Sequence, residues 1–223
     1  MDYDDRYDDD YLDYAREAYE EELISTALQD MSVDRVKSYL GSYGDAIERR
    51  VRLCIEQAEE LFSSGFSGSA ITLAATASEI VIRFLLLRPL LEGAFLSDEW
   101  AEVLSKRVVT GRSSEDRNLL PAVLRHWGTD ITEVQLSDGS RLWEAVVSTV
   151  WPKRNGFVHQ GTPVTETAAR TGIECAKALL QLAHDVGERL GFTLKTTAKW
   201  CEIRGSNERS SWYQSFDEKD PFT

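Results

Sequence analysis

The residues best suited to chemistry lie in one stretch late in the chain, residues 151–161. Arg154 and His159 are separated there by four residues, and Asn155 follows the arginine directly. A guanidinium stabilises negative charge on phosphate oxygens, and an imidazole transfers protons near neutral pH. Cleavage of a phosphodiester needs both an acid and a base, so one histidine per chain is a narrow basis for it. A two-fold dimer would supply the second histidine.

The backbone around these side chains decides which of them act together. In a straight α-helix, the five-residue step from Arg154 to His159 leaves the two side chains about 140° apart. Asn155 and His159 lie about 40° apart and share a face. Arg154 is therefore expected to reach round the helix or to act across an interface. Pro152 predicts a kink near the start of the stretch, and Gly161 predicts its end.

Helical patterns of apolar residues surround this stretch and predict an all-α bundle. A short helix is predicted to begin near Ser32 and to end before Gly41, and Pro89 is predicted to bend or end the most apolar helix. A short C-terminal β-hairpin is predicted at residues 192–203. The other predicted helices cover residues 11 to about 29, within the acidic and otherwise disordered N-terminal part, and 45–64, 69–87, 97–109, 119–127, 140–150 and about 165–190.

The helix at residues 69–87 is apolar nearly all round, which is typical of the central element of a bundle. Glu79 and Arg83 interrupt it and make a membrane span unfavourable. These two residues stand four apart, so they can pair on one face of the helix. Two interpretations remain open: the pair fixes the packing of the helix, or Glu79 orients a catalytic group and supports the site.

The acidic charge of the chain is concentrated at its N-terminus. The 223 residues carry a net charge of −13, and residues 1–30 hold twelve Asp and Glu against Arg6 and Arg16. We divide the chain into an acidic N-terminal extension (1–30), a helical domain (31–204) and a polar C-terminal tail (205–223). An acidic surface disfavours binding of nucleic acid. The helical domain is nearly neutral, so the charge of this domain neither disfavours nor favours binding of nucleic acid.

The N-terminal extension begins with aspartates interrupted by tyrosines, at residues 2–10. Such a run cannot bury a core and is typical of a solubilising tail. It also imitates the charge of a nucleic-acid backbone. A second hypothesis is therefore that it occupies a phosphate site in this protein or in a partner, and so controls it.

Three cysteines, Cys54, Cys175 and Cys201, are far apart and form no C-x-x-C pair. This favours reduced thiols in the cytoplasm, and the acidic N-terminus lacks the pattern of a secretory signal. His126 and His184 are interpreted as structural or surface histidines, because neither belongs to a metal-binding motif. We expect a cytoplasmic protein that does not bind a membrane, a metal or another cofactor.

Residues 154–159, Arg-Asn-Gly-Phe-Val-His, precede the final long helix and resemble the R-x4-6-H motif of HEPN domains. The polar residue after the arginine, the following Gly161 and Pro163, and the alanine-containing last helix are similar as well. The resemblance covers roughly residues 45–190. It implies a HEPN-like helical bundle that forms a homodimer with both motifs facing one cleft.

The resemblance also implies a metal-independent endoribonuclease that cleaves single-stranded RNA by attack of the 2′-OH. His159 would transfer protons, Arg154 would stabilise the charge of the phosphorane, and Asn155 would position either group. Lys153 is a polar neighbour of this set. Enzymes of this type act as toxins or in phage defence, with an antitoxin or another regulatory protein as partner.

One subgroup of HEPN toxins carries a modified tyrosine two residues after the histidine, where this chain has Gly161. Control by that modification is therefore not expected. The alternative function is a non-catalytic, HEPN-like dimeric module that binds a partner protein or a nucleotide, with Arg154 and His159 as structural residues. The intact Arg, Asn and His favour the enzyme, whereas the near-neutral domain and the acidic extension favour the binding module.

Overall fold

A computed structural model describes residues 33–94, 114–126, 128–192, 194, 199 and 200. This part of the chain is a helical bundle without a β-strand, so the all-α prediction is confirmed. Gln135 and Arg141 form an isolated antiparallel bridge. The α-helices are α1 (Val33–Ser63), α2 (Ser67–Ile80), α3 (Arg88–Ala94), α4 (Ser114–His126), α5 (Leu142–Ala145), α6 (Trp151–Gln160) and α7 (Glu166–Arg189), and the π-helical segments are π1 (Val81–Leu87) and π2 (Val146–Val150).

Three predicted segments lie outside the described residues. They are the acidic extension at 1–30, the helix at 97–109 and the polar tail at 205–223. Most of the predicted β-hairpin at 192–203 lies outside them as well.

Residues 33–63 form one continuous helix, so the prediction of a first helix that ends before Gly41 is wrong. The buried face of α1 continues past this position, from Val36 to Ala58. Gly44 allows close packing, because a Cβ on it would lie 2.3 Å from the indole of Trp200. A glycine inside a helix costs about 1 kcal/mol relative to alanine. The tertiary contacts of α1 outweigh this local preference.

Each π-helical segment ends two residues before a proline. Pro89 and Pro152 are each the second residue of the α-helix that follows, and the chain stays helical through both junctions. Proline has no N–H, and its ring collides with the preceding turn of an α-helix. A π-helical turn is wider, because each N–H bonds to the carbonyl five residues earlier, as Trp151 does to Val146. The helix therefore does not end at Pro89, whereas a bend there and a kink at Pro152 stay predictions.

The helix formed by α2, π1 and α3 is the central element of the described fold. α2 and π1 both pack against α1 and α7. From Ser67 to Leu91 the helix is long and apolar enough to cross a membrane, with a mean hydropathy of 1.8, and 67% of that window is buried inside the fold. This packing agrees with the interpretation of the apolar segment as a buried helix.

The last long helix begins and ends where the sequence indicates. Thr165 caps the N-terminus of α7, because its hydroxyl oxygen accepts a hydrogen bond from the N–H of Ala168 at 3.3 Å. Gly191 follows the helix with a φ of 96°, a left-handed conformation that favours glycine. The apolar face of α7 packs on α2 and helps to hold the central helix in place.

A buried carboxylate joins three parts of the fold. The Nε2 atom of His184 in α7 and the indole Nε1 of Trp200 both lie 2.9 Å from Oε2 of Glu48 in α1. The Nε of Arg52 donates to Oε1 of the same residue at 2.7 Å. Burial alone would raise the pKa of Glu48, but the hydrogen bonds and charges of His184 and Arg52 hold it at about 2. His184 is thus a structural residue, as its sequence context indicates.

We expect Glu48→Gln to destabilise the fold by about 2–3 kcal/mol at pH 7, because charge-assisted hydrogen bonds are lost. Folding lowers the pKa of Glu48, so its contribution is complete above about pH 5 and is lost as the pH falls toward 2. Urea unfolding of wild type and variant, followed by tryptophan fluorescence between pH 7 and pH 3, measures the difference. The two stabilities should converge on acidification. Glu56→Gln, exposed on the same helix, is the control.

Candidate functional site

Residues 151–161 form helix α6 and its C-terminal cap. Gly161 adopts a left-handed conformation with a φ of 68°, and the N–H of Thr162 donates to the carbonyl of Gly156 at 3.1 Å. The N–H of Gly161 donates to the carbonyl of Phe157 at 3.0 Å, which is the αL cap that ends a helix at a left-handed glycine. His159 therefore lies in the last turn of α6.

One face of α6 is turned to the protein and the other to solvent. Trp151 is buried, and Arg154 and Phe157 are partly buried. These residues stand three apart, so they lie on one inward face. Arg154 and His159 point to different sides of the helix, as the predicted helical geometry requires. The exposed side chains of α6 include Lys153, Asn155, Val158, His159 and Gln160.

The guanidinium of Arg154 is held at one end. Its Nη1 donates a hydrogen bond to Oδ1 of Asn155 at 2.8 Å. Its Nε is buried and has no hydrogen-bond partner in the described part of the chain. The structure thus couples two of the predicted site residues directly.

Glu79 in α2 is electrostatically coupled to Arg154. Burial raises the pKa of Glu79, and the positive charge of Arg154 lowers it, with burial as the larger effect. The helix neighbour Arg83 places its guanidinium over the ring of Phe84, 4.8 Å from the centroid. Arg154 of the site helix is thus one charge that acts on Glu79, and both interpretations of Glu79 stay predictions.

The ring of Phe157 fixes α6 against the start of α2. A Cβ built on Gly68 would lie 2.2 Å from the ring, far inside van der Waals contact. Only a glycine leaves room for the ring at this position. The sequence analysis did not single out this pair, because its members are 89 positions apart in the chain and nothing local connects them. The three-residue spacing of Trp151, Arg154 and Phe157 was the available signal for an inward face.

The described cysteines and the other residue types that bind metals were considered as alternative sites. Burial raises the pKa of the Cys175 thiol to about 12 and also raises that of Cys54. A buried thiol of high pKa is a poor nucleophile at neutral pH. Within the described ranges, no three His, Cys, Asp or Glu residues converge on a position that could hold a metal ion.

No protein-family model, curated protein or solved structure matches this chain. The function is therefore argued from the identity, exposure and electrostatics of the site residues. A helical bundle by itself does not identify an activity, because the same fold supports many unrelated functions.

We expect Gly68→Ala to destabilise the protein by about 1–3 kcal/mol, because the new methyl group must displace the ring of Phe157. Gly156→Ala in α6 is the matched control. Its Cβ would meet Thr162 at an ordinary distance of 3.6 Å, so the better helix former should stabilise the protein by about 0.5–1 kcal/mol. Thermal unfolding measures both changes. Two variants of equal stability would contradict the described packing of α6 on α2.

Proposed function

We propose that the protein is a metal-independent endoribonuclease of the HEPN type, which cleaves single-stranded RNA at a site shared by two copies of α6. The observation that carries this proposal is the exposed His159 in the last turn of a helix that also carries the partly buried Arg154. The hydrogen bond from Arg154 to Asn155 supports it, because it joins two residues of the motif. The exposed Lys153 adds positive charge on the same helix.

In the proposed reaction, the 2′-OH of a ribose attacks the adjacent phosphorus, and the bond from phosphorus to the 5′-oxygen of the next nucleotide breaks. One imidazole accepts the proton of the 2′-OH, and a second donates a proton to the leaving 5′-oxygen. Arg154 stabilises the negative charge of the phosphorane, and Asn155 positions the guanidinium. The products are a 2′,3′-cyclic phosphate and a 5′-hydroxyl.

The requirement for two imidazoles favours a homodimer. His159 and its neighbour Val158 are both exposed, and 47% of the surface of Val158 faces solvent. A two-fold axis near this end of α6 would bring two His159 side chains to one cleft. It would also allow Arg154 of one protomer to serve a phosphate that the histidine of the other protomer reaches.

The physiological role that fits this motif is a cytoplasmic toxin or phage-defence nuclease that an antitoxin or another regulatory protein holds inactive. Gly161 stands where one group of such toxins carries a modified tyrosine, so that form of control is not part of the proposal. The acidic residues 2–10 are a candidate for control within the chain, because they can compete with RNA for the positive charges of α6.

We expect the wild-type protein to cleave 5′-labelled single-stranded RNA in the presence of EDTA, with 2′,3′-cyclic phosphate ends. His159→Ala and Arg154→Ala should each lower the rate by about 100-fold or more, because each removes a group that acts in the transition state. Gln160→Ala, exposed next to the histidine, is the matched control and should cleave like the wild type. RNA with a 2′-deoxyribose at the cleaved position should be resistant.

Two results would contradict the proposed ribonuclease activity. One is equal cleavage by the wild type and His159→Ala, which would point to a contaminating nuclease. The other is absence of cleavage by a folded, dimeric wild type over a range of RNA sequences, which would leave the non-catalytic binding module. A specific activity that falls on dilution, together with a matching monomer–dimer transition in sedimentation, is expected if the site needs two copies.

We expect Glu79→Gln to lower kcat about tenfold while KM for RNA changes little, because the negative charge beneath Arg154 is lost but the volume is kept. Steady-state kinetics measure both constants, and thermal unfolding checks that the fold is intact. Thr76→Ala, one turn earlier on the same helix, is the control. A Glu79 variant with full activity and lower stability would assign the residue to packing alone.

A further inference from the structure

Phe66 is the most exposed large apolar side chain among the described residues, with 60% of its surface facing solvent. Its backbone is nevertheless fixed. Its N–H donates to the carbonyl of Leu61 at 2.8 Å, and its carbonyl accepts from the N–H of Ala70 at 2.9 Å. The ring is therefore presented to solvent by the hydrogen-bonded junction between α1 and α2.

This junction adjoins α6 on the side of the motif. Gly68, two residues after Phe66, contacts the ring of Phe157, which stands two residues before His159. Two residues span at most about 7 Å of chain. Phe66 and His159 are thus each within about 7 Å of chain from the two residues that make this contact, Gly68 and Phe157.

The motif helix reaches the junction through Phe157. Arg154 acts on Glu79, which lies near the C-terminal end of α2. Three residues later, Phe157 contacts Gly68 near the N-terminal end of α2. Phe157 is thus the residue of α6 that lies against the start of α2, and His159 follows it in the last turn of α6.

Most of the segments that meet here are free of acidic charge, but the last turns of α1 carry Glu59 and Glu60. Residues 61–78 contain no charged residue, and α6 contains a lysine, an arginine and a histidine but no Asp or Glu. Arg170 in α7 lies over the ring of Phe62, 5.5 Å from its centroid, at the end of α1 that leads into the junction. A polyanion therefore meets neutral and basic groups on residues 61–78 and on α6.

We propose that Phe66 stacks on an unpaired base of the RNA, beside the phosphate at which α6 acts; this inference rests on the proposed ribonuclease function. Proteins bind single strands by combining basic groups for the backbone with aromatic rings for the bases. Here Phe66 is the aromatic ring, and Lys153 and Arg154 of α6 are the basic groups. Stacking does not require a particular base, so Phe66 contributes affinity and places the strand without selecting a sequence.

The test measures binding separately from cleavage. Full-length protein with His159→Ala is titrated against a fluorescent single-stranded RNA, with and without a further change of Phe66 to Leu or to Tyr. Leucine keeps the apolar character and loses the aromatic face, whereas tyrosine keeps both. Leu53→Ala is the control, because Leu53 is a similarly exposed apolar residue on α1, with 52% of its surface facing solvent.

We expect Phe66→Leu to raise the Kd for RNA about 5- to 100-fold, which corresponds to the loss of one base stack. Phe66→Tyr and Leu53→Ala should bind within about threefold of the parent protein. Equal binding by the leucine variant would overturn the inference, as would an equal loss in the leucine and tyrosine variants. A change confined to the monomer–dimer equilibrium would assign Phe66 to a protein interface and also overturn it.

Failure of the inference and failure of the nuclease are distinguishable. With His159 intact, cleavage by the wild type and an unchanged KM in Phe66→Leu would remove the stacking role and leave the enzyme. RNA binding that depends on Phe66, without cleavage by the wild type, would contradict the nuclease activity and support the stacking role of Phe66. Absence of RNA binding by the wild type would overturn both.

Discussion

The attachment of the inward face of α6 is the constraint on which the candidate site depends. Trp151 packs edge to face against a second tryptophan, with ring centroids 5.9 Å apart. One turn later Arg154 lies within the electrostatic influence of Glu79, and after another turn Phe157 packs on Gly68. Because these contacts hold the helix in one rotational setting, the side chains on its opposite face remain in solvent.

Two carboxylates in the described part of the chain are coupled to an arginine in different surroundings. Glu48 is hydrogen-bonded to His184 and Arg52, and these two residues hold its pKa at about 2. Glu79 lies in an apolar helix, where burial raises its pKa, so it is a weaker partner for Arg154. The first arrangement ties an arginine into the fold. In the proposed function, the second keeps an arginine in place and leaves its charge available to a phosphate.

Periodicity in the sequence is sufficient to predict most of the described helices and both ends of α7, because apolar spacing, Thr165 and Gly191 are local signals. It is also sufficient for the helical geometry of the motif. The prediction that a first helix ends before Gly41 is wrong, because the long-range packing of α1 outweighs the low helix propensity of glycine. It also fails to identify the packing of Phe157, because the space that receives the ring is created by a residue in another helix. Local patterns thus locate the reactive side chains but not the surfaces that orient them.

The wide turn of π2 has a consequence for how such a site evolves. A π-helical segment arises when one extra residue is accommodated in an α-helix, and one α-helical residue corresponds to about 100° of rotation. Loss of a single codon within residues 146–150 would therefore turn everything after it by about that angle relative to the preceding helix. A different set of side chains would then face the solvent, with no substitution in the motif itself. By this geometry, His159 would come to lie about 40° from the direction that Arg154 now takes, on the inward side of α6.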